Sequence, residues 1–145
     1  GQLENTLINS RTAKEYNVIS NNAGGGEGIR APYMAAGELP EADILKEIGT
    51  GLYLGNLHYL NWSDCIGGRI TGMTRYACFW VENGEIIAPI QNMRFDDSFY
   101  NFFGENLEAV SNKVEFNPEV GTYESRSLGG THCPGVLLSS FSLTL

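Results

Sequence analysis

Residues 76–90 restrict the fold of this chain more than any other stretch. Tyr76-Ala77-Cys78-Phe79-Trp80-Val81 is aromatic and apolar, Asn83-Gly84 follows, and Ile86-Ile87-Ala88-Pro89-Ile90 answers it. A two-residue type I′ turn needs positive φ at both central positions. Asn-Gly supplies that, so the pattern predicts a β-hairpin. The turn length also sets an expected register, with Val81 opposite Ile86, Trp80 opposite Ile87 and Phe79 opposite Ala88. Apolar pairs then lie on both faces, and such a ribbon expects cover on both sides. Glu82 and Glu85 face each other beside the turn. Like charges there repel, which places the tip in water or near a cation.

The flanks of the hairpin read as further strands with short helices between them. Residues 2–8 (QLENTLI) predict a strand, and Ser10 or Thr12 is a candidate cap for a helical turn through Tyr16. A chain that opens inside an element suggests a domain cut from a longer protein. Residues 20–28 (SNNAGGGEG) read as a flexible loop, and the preference of a residue before proline keeps Ile29 to Met34 extended around Pro32. A helix is expected after Pro40, with Glu41 and Asp43 in its first turn, Ile44, Leu45 and Ile48 on its apolar stripe, and Gly49 as its stop. Gly51-Leu52-Tyr53-Leu54 then predicts a strand continuing toward Leu57 and Tyr59. A second helix is expected after Asp97 or Ser98, because Phe99, Phe102, Phe103, Leu107 and Val110 recur at helical spacing. A short strand at residues 113–116, another at 123–126 and a long closing strand that begins at Pro134 complete the pattern. The expected class is mainly β (α+β): antiparallel sheets in a sandwich or barrel-like core with about two short helices, forming a single domain over residues 1–145.

The 145 residues are enough for a real core, and 42% hydrophobic with 18% charged residues is a globular composition. A net charge of −8 argues against nucleic acid and anionic membranes as direct partners. No run approaches the roughly 20 apolar residues of a membrane helix, and no signal peptide opens the chain. Three widely spaced cysteines, Cys65, Cys78 and Cys133, fit a reducing compartment such as the cytoplasm better than a disulfide framework.

Chemistry is harder to place. The glycines at 24, 25, 26 and 28 lack the preceding strand, following helix and Lys-Ser/Thr pair of a phosphate loop. Residues 61–72 (NWSDCIGGRITG) are the least regular polar stretch of the central region. The stretch around Gly67-Gly68 reads first as a plain loop holding an Asx-turn, and second as a site with Asn61, Asp64 and Arg69 as candidate binding residues on a connection between apolar strands. Asp96-Asp97 alone is no metal site, since hard cations need several convergent oxygens. His132 and Cys133 are both metal-ligating types, but neighbours on a strand point to opposite faces, so one ion does not reach both without a bend. Exposed Tyr53, Tyr59 or Trp62 would suit a carbohydrate platform on an unrelated β module.

Taken in order, the segments resemble one family. Gly51-Leu52-Tyr53-Leu54, Asn61-Trp62-Ser63-Asp64, residues 76–81 running into Glu82-Asn83-Gly84-Glu85 and Pro89-Ile90, Glu108-Ala109-Val110-Ser111-Asn112 and the closing Pro134-Gly135-Val136-Leu137-Leu138 are together similar to the C-terminal domain of the TldD/PmbA family. Thr6-Leu7-Ile8-Asn9-Ser10-Arg11-Thr12-Ala13 resembles the segment preceding that domain. These are metallopeptidase-related proteins also described as modulators of DNA gyrase. The resemblance implies a peptide or protein substrate met in a full-length protein, and homo- or heterodimers with a family member, one subunit of which can be a metal-free partner. In the peptidase branch it implies zinc held by two histidines of a His-Glu-x-x-x-His helix and a cysteine near the C-terminus. This sequence contains no such motif. Gly129-Gly130-Thr131-His132-Cys133 approaches the place of the cysteine, which makes Cys133, with His132 beside it, the candidate metal residue. The resemblance therefore implies no catalytic residue and no cofactor in this chain alone, and zinc only in a longer protein.

Overall fold

The computed structural model describes residues 2–123, 126 and 128–144. The chain order is α1 (Ser10–Tyr16), a 3₁₀ turn (Glu41–Asp43) running into α2 (Ile44–Ile48), β1 (Gly51–Leu54), β2 (Leu57–Asp64), β3 (Arg69–Thr74), β4 (Cys78–Glu82), β5 (Glu85–Pro89), β6 (Arg94–Ser98), a π-helical turn (Asn101–Glu105), β7 (Leu107–Pro118), β8 (Gly130–Leu138) and β9 (Leu143–Thr144). Among the described residues three open sheets hold the strands, in the orders β1-β4-β5, β2-β3-β6-β9 and β7-β8. The class is mainly β with short helices, and none of these sheets closes into a barrel among the described residues. The chain divides into two compact units, one of Gly1–Ala35 and Val114–Pro134, the other of Ala36–Lys113 and Gly135–Leu145. β7 and β8 each pass through both.

In the first unit α1 forms as expected, but its cap is Asn9, whose Oδ1 accepts from the N–H groups of Arg11 and Thr12 at 2.9 Å. That meets two of the donors a helix start leaves open. The strand expected at residues 2–8 is absent. The Asn21 side chain stands in for a neighbouring strand there: its Oδ1 accepts from Ile8 N at 2.8 Å and its Nδ2 donates to Thr6 O at 2.7 Å. Leu3 is correspondingly exposed. The glycine-rich stretch is the expected loop, closed by Gly24 N to Gly28 O and Glu27 N to Gly24 O bonds. The strand expected at residues 123–126 falls partly on residues 124 and 125, which lie outside the described residues.

The second unit holds the hairpin. β4 and β5 pair Glu82 with Glu85 and Val81 with Ile86, as the turn length dictates. The register then slips by one: Trp80 faces Ala88 and Phe79 faces Pro89, so Ile87 is bulged out of the ladder. A bulge inserts an unpaired residue and bends the strand. The expected cover on both faces is also missing. β5, an edge of its sheet, is exposed at every position. Val81 on β4 is fully buried. Gly49 ends α2 with φ 60°, its N–H donating to Leu45 O and Lys46 O.

Four further expectations change. β1 ends at Leu54 rather than continuing, and β2 belongs to the other sheet. Residues 61–72 are mostly two strands, β2 and β3, paired with Asn61 opposite Thr71 and Asp64 opposite Arg69. The helix expected after Ser98 forms but is short: residues 99–100 are α-helical and run into the π-helical turn Asn101–Glu105, while Leu107 and Val110 lie on β7 instead. The closing strand begins at Gly130, so Pro134 stands inside β8, and it ends at Leu138. The core of this unit is the fully buried Phe95 of β6, with Phe141 at 5.1 Å between ring centroids and Phe102 stacked on Phe141 at 5.4 Å.

Candidate functional site

The β2–β3 hairpin carries Asn61, Asp64 and Arg69. Its tight end is an Asx-turn, in which Asp64 Oδ1 accepts from Ile66 N at 3.0 Å. Gly67 lies close beside it: a Cβ there would stand 2.5 Å from Asp64 Oδ2, so a side chain at this position would displace the carboxylate from the turn. Gly68 at φ 60° completes the turn, and its carbonyl accepts from Phe99 N at 2.9 Å. Asn61 Oδ1 is used locally, accepting from Trp62 N at 2.9 Å. Asp64 and Asn61 thus spend an oxygen each on shaping the backbone.

Arg69 reaches across to β6. Its Nη2 donates to the Asp96 carboxylate and, at 3.4 Å, to the Asp96 carbonyl. Both side chains are partly exposed. A hydrogen bond from Ser63, and then the one from Arg69, holds the Asp96 carboxyl below its ordinary range. Ser63, Arg69 and Asp96 therefore form a small polar cluster on the exposed part of three strands. A surface cluster of this kind can orient a polar group of a ligand.

The residue that sequence reasoning undervalued is Asp97. It is 2% exposed and sits beside Asp96 on the opposite face of β6. Its Oδ1 accepts from Ser98 N at 2.7 Å and Asn101 Nδ2 at 2.8 Å, and its Oδ2 accepts from Ser142 N at 3.1 Å. Burial by itself pushes this carboxyl up and is the largest single influence. The hydrogen bonds from Ser98, Asn101 and Ser142 together outweigh it, so the group ends below its usual value. Asp97 is a fastener between β6, the π-helical turn and the segment before β9. The only sequence signal for it is its position ahead of the Phe99-Phe102-Phe103 run.

His132 and Cys133 lie in the other unit. The His132 backbone bridges to the Tyr33 region, accepting from Met34 N and donating to Pro32 O, both at 2.9 Å. Its ring packs at a tilt against Phe116, at 4.7 Å between centroids, and against Tyr33 at 5.8 Å. The Cys133 sulfur is partly buried and accepts from Asn117 Nδ2 at 3.4 Å. His58, the remaining histidine, lies on β2 against the guanidinium of Arg75, 3.1 Å from Nη1 to Nε2. Among the described residues no three His, Cys, Asp or Glu side chains converge. This donor set does not fit a zinc centre, which takes three or four N, S or O ligands.

The family model for the PmbA/TldA metallopeptidase C-terminal domain matches residues 1–145. The chain belongs to this family. It is 31% identical over 115 residues to the metalloprotease PmbA of Escherichia coli O157:H7, an alignment covering 79% of this chain and 24% of that protein. The same architecture occurs in a solved Thermotoga maritima protein described as a modulator of a DNA gyrase, at 23% identity and a TM-score of 0.70 over 99% of this chain and 31% of that one. TldE from Thermococcus kodakarensis superposes with a TM-score of 0.72 at 17% identity, over 96% of this chain and 31% of that one. The chain thus spans about a quarter to a third of the length of these relatives. No helix among the described residues is long and apolar enough to cross a membrane.

Proposed function

We propose that this chain is the C-terminal domain of a longer TldD/PmbA-like metallopeptidase or of its metal-free partner subunit, supplying one wall of a peptide cleft and part of a subunit interface. The observation that carries the reading is the outer edge of β5. It ends its sheet, all five of its residues are exposed, and Ile86 and Ile87 are 48% and 55% accessible. An unpaired strand edge presents a row of free N–H and C=O groups, and an extended peptide can add to it as a further strand, with side-chain pockets giving preference. The hollow by α2, lined by Ile44, Leu45, Tyr53, Phe79 and Ile86 with the charged Glu41 also in its wall, offers a mostly apolar recess on the same sheet.

The chain by itself is proposed to be inactive toward peptides, because the zinc ligands of the peptidase branch are proposed to come from elsewhere in the full-length protein. Cys133 is retained as a candidate third ligand contributed to that shared centre, with His132 the weaker one because its ring packs at a tilt against Phe116 and Tyr33. Asn61, Asp64 and Arg69 are proposed as contacts to substrate on the β2–β3 hairpin. The three free cysteines favour a cytoplasmic setting.

Incubation of the isolated chain with zinc and a casein-type substrate tests the division of labour. No turnover is expected. Hydrolysis that persists after Cys133→Ala would overturn the proposal. In the full-length protein, Ile87→Lys on the β5 edge is expected to lower peptide kcat/KM while leaving bound zinc unchanged.

A further inference from the structure

We infer that Asn83 is a deamidation site held closed by the end of α2, so that the hairpin tip carries a chemical record of its own opening. Asn83 is exposed and precedes Gly84, the neighbour that least obstructs attack by its own backbone nitrogen. Both residues have positive φ, 52° and 80°, as the type I′ turn demands. In the closed tip that nitrogen is occupied. Gly84 N–H donates to Gly49 O at 2.7 Å, and Asn83 N–H donates to Thr50 Oγ1 at 3.3 Å. A Cβ on Gly84 would lie 3.3 Å from the Lys46 Cα, so the tip rests directly on the last turn of α2.

The reaction needs that contact to release. Gly84 N gives up its proton to a solvent base and attacks Asn83 Cγ. The new C–N bond closes a five-membered succinimide as the side-chain nitrogen leaves as ammonia. Water then opens either ring carbonyl and yields aspartate or isoaspartate at position 83. Nothing is oxidised or reduced, and water is the only co-reactant. Aspartate puts a third carboxylate between Glu82 and Glu85, which already face each other. Isoaspartate lengthens the main chain by one atom, and a two-residue turn then loses its register. Either product weakens the seat of β5 on the helix end.

Peptide mapping by mass spectrometry in mildly alkaline buffer reads the rate at position 83. In denaturing urea conversion is expected to be fast. In the folded chain it is expected to be slower by about tenfold or more, the ratio that an opening cost of about 1.4 kcal/mol sets. Thr50→Val, which removes the Asn83 N–H acceptor, is expected to speed conversion in buffer and leave the urea rate unchanged. Equal rates in buffer and urea would overturn the inference, as would no conversion at position 83 in urea. A folded Thr50→Val chain with the parent rate in buffer would do so too. The comparison of buffer with urea needs no variant, so it stands even if Thr50→Val fails to fold.

Discussion

The carboxylate of Asp97 accepts a hydrogen bond from the backbone of Ser142, 45 residues further on, at 3.1 Å. With the bonds from Ser98 and Asn101, this makes one buried side chain the common point of a strand, a π-helical turn and the segment leading to β9. Removing the acceptor strands three donors in a water-poor place. Hydrogen bonds to a charged group contribute about 1.5–3 kcal/mol each, and the losses here overlap because the donors share one carboxylate. Asp97→Ala is therefore expected to cost about 3 kcal/mol or more of unfolding free energy. Asp97→Asn keeps one acceptor oxygen but turns an amide N–H₂ toward donors, and is expected to cost less. Urea melts of the three chains check the order; an Asp97→Ala melt that overlays the parent would refute it.

The same group gives a pH signature. Its folded-state value lies below its unfolded one, near 3.9 for an aspartate. The folded state therefore binds its proton more weakly than the unfolded state. The stability that Asp97 contributes is fully present above the unfolded value and is lost as pH falls through the folded one. Asp96, lowered by Ser63 and Arg69, acts in the same direction. Unfolding measured from neutral pH downward should show the parent losing stability in the acid limb below about pH 4. Asp97→Asn should flatten that limb, and an unchanged slope in the variant would assign the acid sensitivity to other carboxylates.

Gly37 has no room for a side chain. A Cβ there would stand 2.3 Å from Val110 O and 2.7 Å from Val110 Cβ, while Gly37 N donates to Ser111 O at 2.9 Å. The backbone cannot retreat without breaking that bond and the neighbouring Leu39–Ser111 bridge. Gly37→Ala is expected to cost about 1–3 kcal/mol, the range for forced overpacking. Gly104→Ala makes a suitable control, because open space surrounds its Cβ position, and thermal melts of the pair should separate clearly.

Sequence legibility followed the strength of the local signal. The Asn83-Gly84 turn fixed two residue pairs on either side, and beyond them the register was set by tertiary fit: the slip puts Pro89, which has no N–H to give, opposite Phe79. Residues 61–72 look like a loop because the polar run Ser63-Asp64 and Gly67-Gly68 dominates them, and the part of β2 they contain is exposed on an edge strand, where burial does not enforce a longer apolar alternation. The run Phe99, Phe102, Phe103 does occupy one helical turn, but two turns of spacing cannot tell a helix from a turn feeding a strand, and Leu107 and Val110 joined β7. The N-terminal strand was lost to a side chain, since Asn21 meets backbone groups that a strand would have met. Asp64 matched its Asx-turn reading. Asp97 was invisible as a fastener because Ser142 lies far along the chain.

Arg69 separates binding from stability at the candidate site. Its pair with Asp96 is partly exposed, with side-chain accessibilities of 45% and 30%. Ion pairs in such settings contribute about 0–1 kcal/mol, since solvent screens them and two side chains must be held still. Arg69→Met keeps the aliphatic stem and removes the charge, so it is expected to leave unfolding free energy within about 1 kcal/mol of the parent. If Arg69 meets substrate as proposed, the same change in the full-length protein should raise peptide KM, with the effect shrinking at high salt as screening removes the charge's contribution. A variant with parent KM at every salt concentration would leave Arg69 as a tie between β3 and β6, and would remove it from the substrate-binding set.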